Sequence, residues 1–142
     1  MAVVSALVGA PTHAQNVPFA TPPPYKAASL GDIMGTIQTR HIKLWMAIEK
    51  GNWPLVGYEV GQMRGSLVRA ATLYLKIPIE LIEAGHQPLA AIEEAAKAKA
   101  LDKSKQGYDK LTAACNACHE AAQIGFIRIQ TPTSAPFGDQ KF

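Results

Sequence analysis

The sequence has few charged residues and no long hydrophobic run, and each shortage excludes a class of protein. Charged residues make up 18% of the chain and the formal net charge is only +3, so nothing indicates a nucleic-acid partner. The longest uncharged stretch, residues 1–25, is interrupted by Pro11, Pro18 and the proline run at 22–24. Because a membrane-spanning helix needs about 20 consecutive apolar residues, we expect no integral membrane segment.

The chain also lacks the residue pattern of an active site. The carboxylates of Glu49, Glu59, Glu93 and Glu94 recur at spacings expected on helix surfaces, and the sequence pairs none of them with a nucleophile. We therefore expect that the protein is not an enzyme. A length of 142 residues is sufficient for one domain with a hydrophobic core and too short for two.

Cysteine is equally scarce, and both cysteines fall in one pentapeptide, Cys115-Asn116-Ala117-Cys118-His119. This C-x-x-C-H pattern is the attachment signature of a c-type haem. Two thiols three positions apart can bond to the two vinyl groups of one porphyrin, while the adjacent imidazole reaches the iron from one face. We expect one covalent haem c on Cys115 and Cys118, with His119 as the proximal iron ligand.

Two other interpretations of the cysteine pair are less consistent with the sequence. A thioredoxin-like dithiol is expected near a βαβ pattern, and no strand-rich segment precedes the motif. A structural zinc site needs four ligands, and the remaining histidines, His13, His41 and His86, are scattered singly.

Four segments repeat apolar residues at gaps of three and four, which predicts four amphipathic helices. They cover residues 30–50, 53–76, 88–102 and 103–123, with Asn52 capping the second helix and Pro88 opening the third. Four such helices with no convincing strand predict an all-α fold, an antiparallel four-helix bundle over residues 30–125. Residues 126–142 are expected to form an extended tail that packs back on the bundle through Phe126, Ile127, Ile129 and Phe137.

The beginning of the chain has the pattern of an export signal. Residues 1–10 form a short apolar run, and Pro11 to Gln15 follow it as a cleavage region would, although a charged beginning is missing. We expect residues 1–15 to be the remnant of a signal peptide and residues 16–29 a proline-rich lead. Bacteria attach c-type haem outside the cytoplasmic membrane, so both clues predict a periplasmic protein.

The position of the motif on the last helix, near the end of the chain, resembles the cytochrome c′ family. The similarity covers residues 30–123, and its specific part is LTAACNACH at 111–119. The stretches 34–45, 52–55 and 136–142 are similar to a branch of small bacterial cytochrome c′-like proteins. The resemblance implies a haem-binding bundle and homodimers through the first two helices. Gln123 stands where the family commonly has an arginine, one turn after the motif histidine.

The second axial ligand is left open by the motif. In an antiparallel bundle, residues early in the first helix face residues late in the fourth, which makes Met34 the best-placed ligand; low-spin members of the resembled family carry a ligating methionine there. His41 lies two turns further on, about 10 Å along the helix, so both cannot bind one iron. His41 as ligand, His41 as a hydrogen-bonded core residue and an empty distal site remain alternatives.

These observations predict a periplasmic single-haem cytochrome that transfers electrons to a redox partner protein. The alternatives are a five-coordinate protein that binds nitric oxide or carbon monoxide, and a haem subunit of a larger oxidoreductase.

Overall fold

A computed structural model describes residues 28–142; the predicted signal segment and nearly all of the proline-rich lead lie outside the described residues. These residues form four helices, α1 (Leu30–Glu49), α2 (Trp53–Leu73), α3 (Ile79–Lys97) and α4 (Leu101–Ala121). Each helix packs on the next in sequence and α4 returns to α1. The predicted four-helix bundle is confirmed, and within residues 28–142 no helix has the length and apolar character that crossing a membrane requires.

The first two helices begin at side chains that satisfy free backbone N–H groups. Ser29 and Asp32 form a capping box, in which Oγ of Ser29 accepts from the Asp32 N–H at 3.1 Å and the Asp32 carboxylate accepts from the Ser29 N–H at 3.0 Å. Oδ1 of Asn52 accepts from the Leu55 N–H at 3.3 Å, as the sequence predicted. Such caps stabilise a helix by about 1 kcal/mol each.

Three helices end in the same hydrogen-bonded turn, and only one of the three turns uses glycine. Gly51, Lys99 and Gln123 have φ of 64°, 53° and 60° and follow α1, α3 and α4. In each case the next N–H donates to the carbonyl five residues back, as in a Schellman motif. A left-handed backbone at Lys99 and Gln123 has no glycine signal in the sequence.

The predicted start of the third helix was wrong. Pro88 lies inside α3, which begins at Ile79 directly after Pro78. Proline removes one internal hydrogen bond, but Pro88 is buried in the bundle, and the good helix formers of residues 79–87 extend the helix ahead of it. The α2 helix ends earlier than predicted, at Leu73, where Tyr74 leaves helical backbone geometry.

The core lies along the bundle axis and draws on all four helices. Its largest fully buried side chains are mostly apolar: Leu44, Ile48, Met63, Leu89, Ile92, Tyr108 and Leu111. Three buried residues are polar or charged: His41, Glu59 and Ser104. Because a buried polar group without a partner is costly, the partners of His41 and Glu59 determine how α1 meets its neighbours.

Gly107 lets α4 approach α3 closely. A Cβ atom at this position would lie 2.7 Å from Cγ1 of Ile92 and 3.4 Å from its backbone N. Gly61, on the outer face of α2, has no neighbour within 4 Å of such an atom. Glycine at 107 is therefore required by packing, whereas glycine at 61 is not.

We expect Gly107→Ala to lower the free energy of unfolding by about 1–3 kcal/mol, because the methyl group overpacks the α3–α4 contact. The control variant Gly61→Ala should raise it by about 0.5–1 kcal/mol through helix propensity alone. Denaturant titration of both variants measures the two effects, and equal shifts would contradict a packing role for Gly107.

A buried ion pair joins α1 to α2. Nη1 of Arg40 lies 3.2 Å from Oε2 and 3.3 Å from Oε1 of Glu59, and the Glu59 side chain is 1% exposed while that of Arg40 is 25% exposed. The guanidinium also lies over the ring of Tyr58, 5.6 Å from its centroid. The pair therefore compensates a carboxylate that water cannot reach.

Arg40→Ala should cost about 3 kcal/mol of unfolding free energy, because it leaves the Glu59 carboxylate buried without its cation. Arg64→Ala is the matched control: the Arg64–Glu93 pair is shorter, at 2.8 Å, but both side chains are about one-third exposed. Its loss should cost below about 1 kcal/mol. The same denaturant titration tests the difference, which a similar cost for both variants would refute.

Candidate functional site

The C-x-x-C-H motif occupies the last two turns of α4. Cys115, Cys118 and His119 are all half-buried, and the two cysteines are free thiols. Cys115 packs against the edge of the hydrophobic core. One helical turn separates the two sulfur positions, so both thiols and the imidazole lie on neighbouring faces of one helix end.

The environment of the thiols differs from that of a redox dithiol. Burial raises the pKa of Cys115 to about 11, with a further contribution from Cys118, and burial also raises the pKa of Cys118. Reactive C-x-x-C pairs have a lowered pKa and often use the positive N-terminus of a helix. Here the pair lies at the negative C-terminus, and both sulfurs stay protonated at neutral pH.

The ring of His119 is oriented by a backbone carbonyl. Its Nδ1 lies 2.7 Å from the carbonyl oxygen of Ile127, and because a carbonyl only accepts, Nδ1 carries a proton. In a neutral imidazole the other nitrogen, Nε2, then has its lone pair free of a proton. Metal-ligating histidines characteristically donate their second ring N–H in this way.

The turn after α4 brings that carbonyl back to the helix. The Schellman motif at Gln123 reverses the chain, and the Ile127 N–H donates to the Ile124 carbonyl at 2.8 Å. Ile129, two residues after Ile127, is held by the side chain of Asn116 at two points. Nδ2 of Asn116 donates to the Ile129 carbonyl and Oδ1 accepts from the Ile129 N–H, each at 2.8 Å. Ile127 is thus fixed between two anchored positions.

The remainder of the tail reaches α1. The Nζ of Lys43 lies over the ring of Phe137, 4.8 Å from its centroid, and Phe137 contacts Phe142 with centroids 6.2 Å apart. Because Ile129 is held on α4 and Phe137 lies against α1, the tail runs from the last helix to the first. Phe126, which we expected to pack back, is 83% exposed.

Three contacts define the register between α1 and α4. His41 bonds Thr112, the ring of Trp45 packs on Tyr108 at 4.8 Å, and Glu49 pairs with Lys105. From one contact to the next, the residue number increases in α1 and decreases in α4, as expected for antiparallel helices.

The same register relates Met34 to the motif. Met34 precedes His41 by seven residues and His119 follows Thr112 by seven, about two turns in each helix. Continued along both helices, the register brings Met34 level with His119. The side chain of Met34 is half-buried and packs against the core.

His41 has both ring nitrogens in hydrogen bonds. The Thr112 hydroxyl lies 2.9 Å from Nε2 and 3.1 Å from the Tyr108 carbonyl. The Tyr108 hydroxyl lies 2.8 Å from Nδ1 and 3.1 Å from the His41 carbonyl. Because each hydroxyl can donate either to the ring or to a carbonyl, both neutral tautomers of His41 are satisfied, and ligation by His41 would require breaking one of the two ring bonds.

Within residues 28–142, no group of three or more His, Cys, Asp or Glu side chains is arranged to hold a metal ion. Two surface pockets, of about 320 and 420 Å³, lie between α3 and α4 and beside Trp53, and no residue of the motif lines either. An iron held by a porphyrin would need only axial ligands from the chain, and the ligands predicted from the sequence are His119 in the motif and Met34 on the facing helix.

Several residues around the motif were not identified from the sequence. Asn116 occupies a variable position of the signature. Tyr108 and Thr112 belong to no motif that distinguishes them from other residues of α4. Their partners, Ile129 and His41, are 13 to 71 residues away, so no local pattern pointed to them. One feature of the sequence could have pointed to these residues. Tyr108 lies one turn before Thr112 and two turns before Cys115, on a single face of α4.

We expect the stability to fall between pH 6.5 and pH 4 because of His41. Burial lowers the pKa of His41 from 6.5 to about 4, so the unfolded chain takes up a proton in this interval that the folded chain does not. The contribution of neutral His41 to the free energy of unfolding is complete above pH 6.5. It is lost as the pH falls towards 4, by about 3 kcal/mol in total.

Unfolding free energies measured by denaturant titration across this range test the expectation. His41→Gln should reduce the slope against pH by about one proton, whereas Tyr108→Phe should lower stability at every pH and keep the slope. An unchanged slope in His41→Gln would show that another group is responsible.

Comparisons of the chain with protein-family models, with curated proteins and with solved structures give no match. The functional interpretation therefore depends on the residues and geometry of the site itself.

Proposed function

We propose that this protein is a single-haem c-type cytochrome that transfers electrons, with haem c bound covalently to Cys115 and Cys118 and His119 as the proximal ligand. The observation that carries the proposal is the 2.7 Å hydrogen bond from Nδ1 of His119 to the Ile127 carbonyl. In a neutral imidazole this bond selects the tautomer whose Nε2 is free to bind a metal, on the residue that directly follows Cys118.

The side chains of the motif fit this group chemically. Formation of two thioether bonds needs two reduced thiols, and both cysteines are reduced and protonated at neutral pH. Axial ligation needs a neutral imidazole with a defined tautomer, which the Ile127 carbonyl selects for His119. When bound, haem supplies the reversible one-electron chemistry of its iron. The chain binds the group, orients the imidazole and limits the access of water.

Met34 is the distal ligand in this proposal. The register of α1 and α4 supports it, because Met34 lies level with His119 while both ring nitrogens of His41 are engaged with Tyr108 and Thr112. A histidine and methionine pair favours a higher reduction potential, which suits an electron carrier.

The biological setting follows from the same cofactor. Covalent haem attachment and the apolar start of the chain support a periplasmic location, and the net charge of +3 favours an acidic redox partner. The resemblance of the bundle and motif to cytochromes c′ supports the proposal, and a homodimer through α1 and α2 stays a prediction of that resemblance.

The test is expression of the full chain in a bacterium that attaches c-type haem. We expect one haem per chain that remains after denaturation, measured by mass spectrometry, and one thioether bond fewer in Cys115→Ala and in Cys118→Ala. The ferric spectrum should be low-spin with a methionine-to-iron band. That band should disappear in Met34→Ala and persist in His41→Ala, the matched control on the same helix.

Different failures have different meanings. Haem that is lost on denaturation would refute covalent attachment. A high-spin ferric protein that binds carbon monoxide readily when reduced would refute the Met34 ligand and favour a gas-binding protein. Loss of the six-coordinate spectrum in His41→Ala alone would assign the ligand to His41.

A further inference from the structure

We propose that Asn116 is a positioning residue for His119: its side-chain amide holds the Ile129 backbone and thereby keeps the Ile127 carbonyl on Nδ1. The inference rests on the proposed function and adds a role for a position that the C-x-x-C-H signature leaves variable.

The amide of Asn116 is matched to a peptide group. Its Nδ2 donates to the Ile129 carbonyl and its Oδ1 accepts from the Ile129 N–H, each at 2.8 Å. A two-point contact of this kind fixes both the position and the direction of the tail. Aspartate keeps only the acceptor, and alanine keeps neither group.

The contact lies next to the carbonyl that His119 uses. Ile127 is two residues before Ile129, and its own N–H is held by the Ile124 carbonyl at 2.8 Å. The peptide groups from 127 to 129 are thus bounded by the turn on one side and by Asn116 on the other. Besides Asn116, the segment is joined to α4 by the turn, by the hydrogen bond of His119 itself and by one exposed ion pair, Arg128 to Glu120.

The hydrogen bond on Nδ1 affects the iron through the imidazole. An acceptor at Nδ1 raises the basicity of Nε2 and fixes the ring orientation. A more basic ligand stabilises ferric over ferrous iron, so loss of the acceptor shifts the equilibrium towards reduction. The Asn116 amide hydrogen-bonds to Ile129 and not to His119, so it would act on the iron through the position of Ile127.

The experiment compares three variants of the haem-loaded full chain: Asn116→Ala, Asn116→Asp and Arg128→Ala. Arg128→Ala is the matched control, since it removes a 2.8 Å ion pair between the same segments, with both side chains about two-thirds exposed. The readout is the reduction potential from spectroelectrochemistry, with thermal stability measured beside it.

We expect Asn116→Ala to raise the equilibrium constant for reduction by about tenfold, the lower end of the roughly 10–100-fold change in affinity or activity that loss of an outer partner causes at metal sites. Asn116→Asp should give a smaller rise, because it retains one of the two hydrogen bonds, and Arg128→Ala should leave the constant unchanged. If Asn116→Ala does not accumulate, Asn116→Asp against Arg128→Ala makes the same comparison. Unchanged potentials in the Asn116 variants, or equal shifts in all three, would overturn the proposal.

Absence of haem from the wild-type chain would refute the proposed function and not this inference. The tautomer of His119 in the haem-free full chain, read by nitrogen-15 NMR, then decides it. We expect the proton on Nδ1 in the wild type and a mixture of tautomers in Asn116→Ala. A proton that stays on Nδ1 in the variant would overturn the role of Asn116.

Discussion

The hydrogen bonds of His41 with Tyr108 and Thr112 join the first helix to the last, and the register of the bundle depends on them. The α1–α4 pair is the most sparsely packed of the four neighbouring helix pairs, so a few specific contacts determine its alignment. The two hydroxyl groups hold both ring nitrogens of His41, and burial lowers the pKa of this imidazole so that it is neutral at neutral pH. From this register follows the position of Met34 level with the motif.

The end of α4 combines two constraints on the same residues. The Schellman turn at Gln123 satisfies the last carbonyls of the helix, including that of His119. The same reversal returns the chain along α4, where the side chains of Asn116 and His119 form hydrogen bonds with the backbone of Ile129 and Ile127, respectively. Helix termination and orientation of the proposed iron ligand therefore use one piece of backbone, and the tail continues from there to Lys43 on α1.

Periodicity predicted the helices because burial of an apolar face repeats every three to four residues whatever the partner is. It predicted α1 to within one residue of its observed end at Glu49. It failed at α3, which begins at Ile79 and contains Pro88, because the cost of an internal proline can be read from the sequence whereas its burial in the core cannot. The sequence also contains no indication of the left-handed backbone at Lys99 and Gln123. Their conformation is stabilised by the hydrogen bonds of the turn and not by glycine.

The sequence by itself determined the chemistry of the motif, because two thiols and an imidazole at positions 115, 118 and 119 remain neighbours on any helix. It also determined the bundle, through four apolar faces that must be buried together. Only the tertiary structure decided the carbonyl that faces Nδ1 of His119, the partners of His41 and the residue level with the motif. Those depend on partners as far as 71 positions away, whose meeting follows from packing of whole helices and not from any local pattern.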